Sequence, residues 1–376
     1  MRIVIEADSI ATDRMSGIGH ATLEIIRALS LQKNTNDQIV VVVPFGTKSK
    51  LEKYNLIDVK VRTLLPGYRY VNRLLVRTSL PIPVDVFFGR GVYIFPNYKN
   101  WYVPFSQSIT FVHDVAYKIF PETIHPKNLL YLNANMTRWM KRAQVLATIS
   151  QASADEITEL FPEYKEKVQL VPLGVDTNMF YERSVDEITL VCKKIGIDGD
   201  YFIYVGNIEP RKNIMVLLEA YQLYADSVQT ASKLVLIGGD GWKNDTINEH
   251  IEVLRAAGYG IVRPNTYVED DLLPALYSGA KALVHVSLHE GFGLSVVQAQ
   301  ACGTPVIVSD IPVLREVASS IGRYLVNSQD SSSIAAAMKQ ADAKQYVAKA
   351  HPGYTWKETA KKIISLTDIV GDDNAR

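Results

Sequence analysis

Cysteine is nearly absent from this chain of 376 residues: Cys192 and Cys302 are the only two, far apart and without metal-ligand spacing. That argues against a disulfide-stapled scaffold and against a structural zinc site. Long apolar runs are also missing. The longest, such as 39–45, fall far short of the roughly 20 residues needed to cross a bilayer and read as buried strands. The chain opens Met1-Arg2-Ile3-Val4-Ile5 and enters a strand pattern at once, without signal-peptide architecture. The expectation is a cytoplasmic protein, with peripheral contact at the inner face of the membrane as an option. An overall excess of charge is lacking too, with 40 Lys and Arg against 40 Asp and Glu. The two signs are unevenly spread: residues 1–175 carry 21 basic against 15 acidic side chains, and the remainder 19 against 25. A basic first half suits an anionic partner such as a lipid phosphate, a membrane surface or an acidic acceptor, although chance asymmetry on a solvated surface explains it equally well.

The length exceeds one ordinary core and suits two α/β domains. Short β-branched runs alternate with amphipathic, helix-length stretches, the rhythm of parallel sheets covered on both faces. Predicted strands in the first half are 2–7, 38–44, 84–88, 108–113, 145–150 and 168–172. In the second half they are 202–205, 234–237, 260–263, 282–287, 305–308 and 323–326. Helices are expected over 21–30, 128–142, 153–160, 214–225, 270–278, 295–302, 313–318 and 354–366. The halves divide near Pro172-Leu173-Gly174, ahead of a polar stretch reaching about Asp200. This gives a first domain over 1–173, a second over 174–353 and a C-terminal helical segment over 354–376. In such sheets ligands collect at the carboxyl ends of the strands, so chemistry-bearing motifs are expected there.

The densest motif is Ser287-Leu-His-Glu-Gly-Phe-Gly-Leu-Ser-Val-Val-Gln298, which follows an apolar strand and opens a helix. Gly291 and Gly293 let the backbone approach a ligand, and helix-start amides at Leu294–Val296 would cradle a diphosphate. Glu290 is placed to accept hydrogen bonds from sugar hydroxyls. Earlier, Glu209-Pro-Arg211-Lys212-Asn213 also follows a strand and precedes a helix. Cations are disfavoured by the dipole at a helix start, so Arg211 and Lys212 point to an anionic ligand rather than to a solvated surface. Gly206 ends the preceding strand, and Gly238-Gly239-Asp240-Gly241-Trp242 forms a turn after the next one.

The segment 290–299 resembles the signature E-G-F-G-L-P-x-x-E-A of the retaining GT-B glycosyltransferases of family 4, and 209–213 resembles that family's E-P-R-K-N. The resemblance implies a GT-B fold: two Rossmann-like domains with parallel sheets facing across a cleft. By this resemblance Glu290 contacts the donor sugar, Arg211 and Lys212 the donor phosphates, and Gly206, Gly238, Gly291, Phe292, Gly293 and Leu294 belong to the donor site. Gln298 stands where the family has a glutamate that binds ribose. An amide can still accept from one hydroxyl and donate to another. Ser295-x-x-Gln298 also fits a capping box, an alternative reading of the same residues.

In the first half, Phe111-Val-His113-Asp114 resembles the His-Asp pair that the family sets beside the reacting sugar, which makes His113, Asp114 and Glu290 the expected catalytic residues. A lone strand-end histidine is otherwise more often structural. Ser16-Gly17-Ile-Gly19-His20 resembles the family's N-terminal glycine loop, with Gly17 and Gly19 near phosphate or acceptor; a tight turn needs the same residues. Ser153 with Glu156 reads as a capping box. Arg69, Arg73 and Arg77 share one face of a predicted helix, a stripe suited to anionic lipid or a lipid-diphosphate acceptor and equally to plain solvent.

The implied activity is retaining transfer of a hexose or deoxyhexose, mannose favoured, from a nucleotide diphosphate sugar to a hydroxyl of a glycan or lipid-linked acceptor in cell-surface polysaccharide synthesis. GDP-mannose is the preferred co-substrate. No Asp-x-Asp motif follows a strand, so no metal and no other cofactor is expected. Two further readings stand: a non-catalytic nucleotide-sugar-binding subunit, for which Gln298 would be a sign of decay, and a UDP-sugar epimerase of the GT-B type, for which the carboxylates are not evident.

Overall fold

The computed structural model describes residues 1–13, 15–68, 82–343, 348 and 353–372. The chain divides into two compact units. The first comprises Met1–Val115, Lys127–Gly174 and Thr355–Arg376, and the second Ala116–Pro126 and Val175–Tyr354. The eleven residues after Val115 thus belong with the second half of the chain, and the terminal helix Trp356–Asp372 belongs with the first. Arg69, Arg73 and Arg77 lie outside the described residues.

The first unit holds a seven-stranded sheet in the order β3-β2-β1-β4-β5-β6-β7, with every pairing parallel. Its strands are β1 (Arg2–Glu6), β2 (Gln38–Val43), β3 (Val59–Thr63), β4 (Val92–Phe95), β5 (Gln107–Phe111), β6 (Val145–Thr148) and β7 (Val168–Leu170). Val92–Phe95 is buried at every position, as expected of a strand covered on both faces. The second unit holds a six-stranded parallel sheet in the order β10-β9-β8-β11-β12-β13. It contains β8 (Tyr201–Val205), β9 (Lys233–Ile237), β10 (Ile261–Val262), β11 (Leu283–His285), β12 (Val306–Ser309) and β13 (Arg323–Val326). Strand order reverses between β1 and β4 in one sheet and between β8 and β11 in the other. In open α/β sheets the crevice at such a reversal is where ligands bind.

Several elements differ from the sequence reading. Residues 84–88, expected as a strand, form a helical turn over Asp85–Phe88, because the Asp85 carboxylate accepts from the Phe105 amide and the segment leaves the sheet. Two strands, β3 and β4, lay outside the expected set. The polar stretch before Asp200 contains a helix, Val185–Ile195, opened by a Ser184–Glu187 capping box. Ser150, not Ser153, caps the helix Gln151–Leu160, accepting from the Ser153 amide at 3.1 Å. The segment 17–20, read as a loop, is the first turn of the helix Gly17–Gln32, which Ser16 caps. A Cβ on Gly19 would stand 2.8 Å from the Ser9 carbonyl oxygen, so the glycine serves a close backbone approach.

Candidate active site

The loops after β8 and β11 meet at the reversal of the second sheet. From the first comes Lys212, whose ammonium donates to Glu290 Oε1 at 2.5 Å. Arg211 pairs with the other oxygen of the same carboxylate, Oε2, at 3.2 Å, and donates to the His289 carbonyl at 2.6 Å. Its second nitrogen reaches Glu209 Oε1 at 3.2 Å. From the strand itself, His285 Nε2 lies 3.0 Å from Glu290 Oε1, and His285 Nδ1 lies 3.2 Å from the Ser295 hydroxyl. Glu290 is only 7% exposed. Burial by itself would raise its pKa, but Lys212, Arg211 and His285 outweigh that and hold it well below the ordinary carboxylate range. Burial lowers the pKa of His285, which favours the neutral ring, and raises that of Glu209 against the pull of Arg211 and Lys212. The cluster therefore holds Glu290 ionised at neutral pH, with two cations aligned on it.

Backbone geometry explains why these residues meet. Gly206 (φ 155°) and Gly238 (φ 144°) end β8 and β9 side by side, and a Cβ on Gly238 would lie 1.9 Å from the Gly206 carbonyl oxygen. Asn213 sits in the left-handed region (φ 59°) and donates to the carbonyls of Val286 and Ser328, which turns the chain into the helix Ile214–Asp226 and locks it onto the end of β11. Gly293 (φ 95°) opens the helix Leu294–Ala301 without a side-chain cap. The Val296 amide donates back to Gly293 at 2.9 Å. It does not point outward as the sequence suggested, so the amides free of helical acceptors are those of Leu294 and Ser295. The Ser295–Gln298 capping box is not formed either. Ser295 turns to His285, and Gln298 Oε1 accepts from the Tyr277 hydroxyl at 3.5 Å. Phe292 is buried with its ring edge-on to Tyr354. Gly291 follows Glu290 directly. Trp242 anchors the segment Ala116–Pro126 by donating from its indole to the Thr123 carbonyl at 2.8 Å, and Phe120 of that segment sets its ring 5.8 Å from His289.

In the first unit, His113 follows β5 and is buried. Its Nε2 donates to the Pro96 carbonyl at 2.6 Å, leaving Nδ1 as the acceptor of the neutral ring, the form that burial favours. Tyr98 holds the neighbouring backbone: its hydroxyl accepts from the Asp114 amide at 3.1 Å, and its ring meets His113 edge-on.

Sequence reasoning missed His285, Ser295 as its partner, and Glu209. A histidine inside the apolar run Ala282–Val286 was the available signal. No group of three or more candidate metal ligands occurs among the described residues, and no described helix is long and apolar enough to cross a membrane.

Comparison with known proteins follows the same lines. The family model "Glycosyl transferases group 1" matches residues 193–362. An Escherichia coli protein, "O-antigen chain mannosyltransferase B", is 29% identical over 335 residues, covering 86% of each chain. The Salmonella typhimurium "O-antigen chain mannosyltransferase RfbU" is 28% identical over 62% of this chain and 60% of its own length. Among solved structures, Anabaena Alr3699/HepE in complex with UDP and glucose superposes with a TM-score of 0.69 at 16% identity, covering 100% of this chain and 99% of that one.

Proposed function

We propose that the chain is a group 1 glycosyltransferase of GT-B architecture that transfers mannose from GDP-mannose to a hydroxyl of a glycan in O-antigen-type polysaccharide synthesis, with retention at the anomeric carbon. The observation that carries the reading is the convergence of Lys212 and Arg211 on Glu290 at the opening of the Gly293 helix. The mannosyltransferase names of the relatives support the sugar.

A nucleoside diphosphate bound there takes the amides of Leu294 and Ser295 and the two cations, each charge-assisted hydrogen bond contributing about 1.5–3 kcal/mol. Glu290, kept ionised, accepts from hydroxyls of the transferred sugar while it fixes the position of both cations. Gln298 meets the ribose. In the transfer step the bond between the anomeric carbon and the diphosphate oxygen breaks as the acceptor oxygen bonds to the same face. The departing phosphate oxygen takes the acceptor proton. Arg211 and Lys212 stabilise the charge that grows on the leaving diphosphate, with no metal required. His113, neutral and held by Pro96, is assigned by the family resemblance to position the sugar, with Asp114 steadying it.

The test is a thermal-shift screen of nucleotide sugars followed by product analysis. At 100 times its Kd a ligand adds about 2.7 kcal/mol to stability. GDP-mannose is expected to stabilise the protein and to give an α-linked product with a mannoside acceptor. Stabilisation without transfer or slow hydrolysis would instead favour a binding subunit.

A further inference from the structure

His285 lies inside β11, 2% exposed, and its two ring nitrogens face different parts of the proposed donor site. Nε2 is 3.0 Å from Glu290 Oε1, with the Ser287 hydroxyl 3.4 Å from the same nitrogen. Nδ1 is 3.2 Å from the hydroxyl of Ser295, in the first turn of the helix Leu294–Ala301. Glu290 is ionised and can only accept, so Nε2 carries the ring hydrogen. In the neutral ring Nδ1 then accepts, and the single hydroxyl hydrogen of Ser295 is committed to it. The Ser295 oxygen is left with lone pairs beside the Leu294 and Ser295 amides, where they oppose a phosphate oxygen. A proton on Nδ1 reverses the bond: His285 donates, Ser295 accepts, and the hydroxyl hydrogen becomes available at the helix opening. Ser295 is partly exposed, which gives that proton a route from solvent. In the signature that segment 290–299 resembles, this position is proline, which has no hydrogen to donate.

We propose that His285 is a positioning residue that takes up a proton as the nucleoside diphosphate binds, turning the Ser295 hydroxyl from the ring to a phosphate oxygen. The inference rests on the glycosyltransferase reading and adds the proton that accompanies donor binding. One proton passes from solvent to Nδ1, and no bond between heavy atoms changes. The charges around His285 explain why the ligand decides. Glu290 favours the protonated ring, whereas burial, Lys212 and Arg211 oppose it, and burial prevails to lower its pKa. Glu209 stands behind Arg211 at 3.2 Å. The paired strand β8 brings Tyr201 and Tyr204, phenols that burial keeps neutral, while β12 and the helix Leu294–Ala301 carry no acid or base. A diphosphate engages both cations and adds negative charge of its own, which removes two of the three opposing effects. The coupling is reciprocal, so protonating His285 tightens the nucleotide by the factor with which the nucleotide favours the proton.

The experiment titrates the full chain with GDP-mannose by calorimetry across neutral pH, in buffers of low and high ionisation enthalpy. Both phosphates of this ligand are esterified on two sides, so it does not titrate there itself. The native protein is expected to take up about half to one proton, and its affinity to fall about three- to tenfold per unit as pH rises. His285→Gln, which keeps a donor and an acceptor but no titratable ring, should bind without proton uptake and with a flat profile. Ser295→Ala should weaken binding about tenfold on the acid side of neutrality and hardly on the basic side, and Ser295→Thr should restore the native profile. A merely structural histidine would change affinity equally at every pH. No proton uptake by the native chain, uptake that persists in His285→Gln, or a Ser295→Ala loss independent of pH would overturn the proposal. Ser295→Ala, at a partly exposed position, keeps the test readable should His285→Gln fail to fold. If GDP-mannose does not bind, the donor reading fails and UDP-glucose, with the same diphosphate, is titrated instead. Its binding without proton uptake then overturns the relay, and binding of neither overturns both.

Discussion

Lys212 and Glu290, 78 positions apart in sequence, are joined by a 2.5 Å ion pair that bridges the loops after β8 and β11. Arg211 completes a fork on the same carboxylate. Breaking a buried pair by removing one partner costs about 3–5 kcal/mol because the remaining charge is uncompensated. Glu290→Gln should therefore lower the midpoint of thermal unfolding and abolish most transfer, whereas Glu290→Asp, which keeps the charge, should retain more of both. Calorimetry and initial rates at saturating donor check this. A Glu290→Gln variant with native stability and rate would remove Glu290 from the account.

The two cations are not equivalent. The Lys212 ammonium is paired with Glu290, while Arg211 is held by Glu209 and the His289 carbonyl as well as by Glu290. Lys212→Met should raise the KM for the donor about 10- to 100-fold, equivalent to one charge-assisted hydrogen bond of about 1.5–3 kcal/mol. Arg211→Met should lower donor affinity and loosen the loop as well, visible as a drop in unfolding temperature larger than that of Lys212→Met.

The glycines separate into positions that tolerate a methyl group and positions that do not. A Cβ at Gly238 meets the Gly206 carbonyl oxygen at 1.9 Å, whereas at Gly239 the nearest atom is 3.9 Å away. Gly238→Ala should push apart the ends of β8 and β9 and cost several kcal/mol, of the order seen for severe overpacking. Gly239→Ala should leave unfolding unchanged within about 0.5 kcal/mol.

Stability should carry two opposite pH signatures. Glu290 is depressed in the folded state, so its contribution is complete above the ordinary carboxylate range and is lost as pH falls below about 4.5. Glu6 behaves in reverse. Burial raises it from 4.5 to about 7 against the pull of Lys99, so the folded state holds a proton that the unfolded chain releases. Stability from this group is present below pH 4.5 and declines as pH rises toward 7. Urea denaturation between pH 5 and 8 should show a falling slope that Glu6→Gln flattens. An unchanged slope in the variant would contradict the buried, proton-holding Glu6.

How much of this was legible beforehand follows from the physics of each residue. Doubly covered strands such as Tyr201–Val205 and Val306–Ser309 announce themselves as short apolar runs, and Arg211, Lys212 and Glu290 stand out because charges after strands need a reason. The edge strand Val59–Thr63, half-buried with Lys60 and Arg62 facing out, gives a weaker pattern. The helix Val185–Ile195 has no buried residue and depends on its capping box, so its signal is local rather than periodic. Partnership was the least legible property. Ser295 binds His285 instead of capping, and Glu6 binds Lys99 from 93 positions away. Only the strand order brings those residues together.

The most direct measurement of the central claim is the dissociation constant of GDP-mannose for the native chain and for the double variant Arg211→Met/Lys212→Met, by isothermal titration at fixed ionic strength. The account predicts binding by the native protein and a loss of at least 100-fold in the variant. Equal affinity in both, or no binding by a native chain that still transfers mannose from another donor, would contradict it.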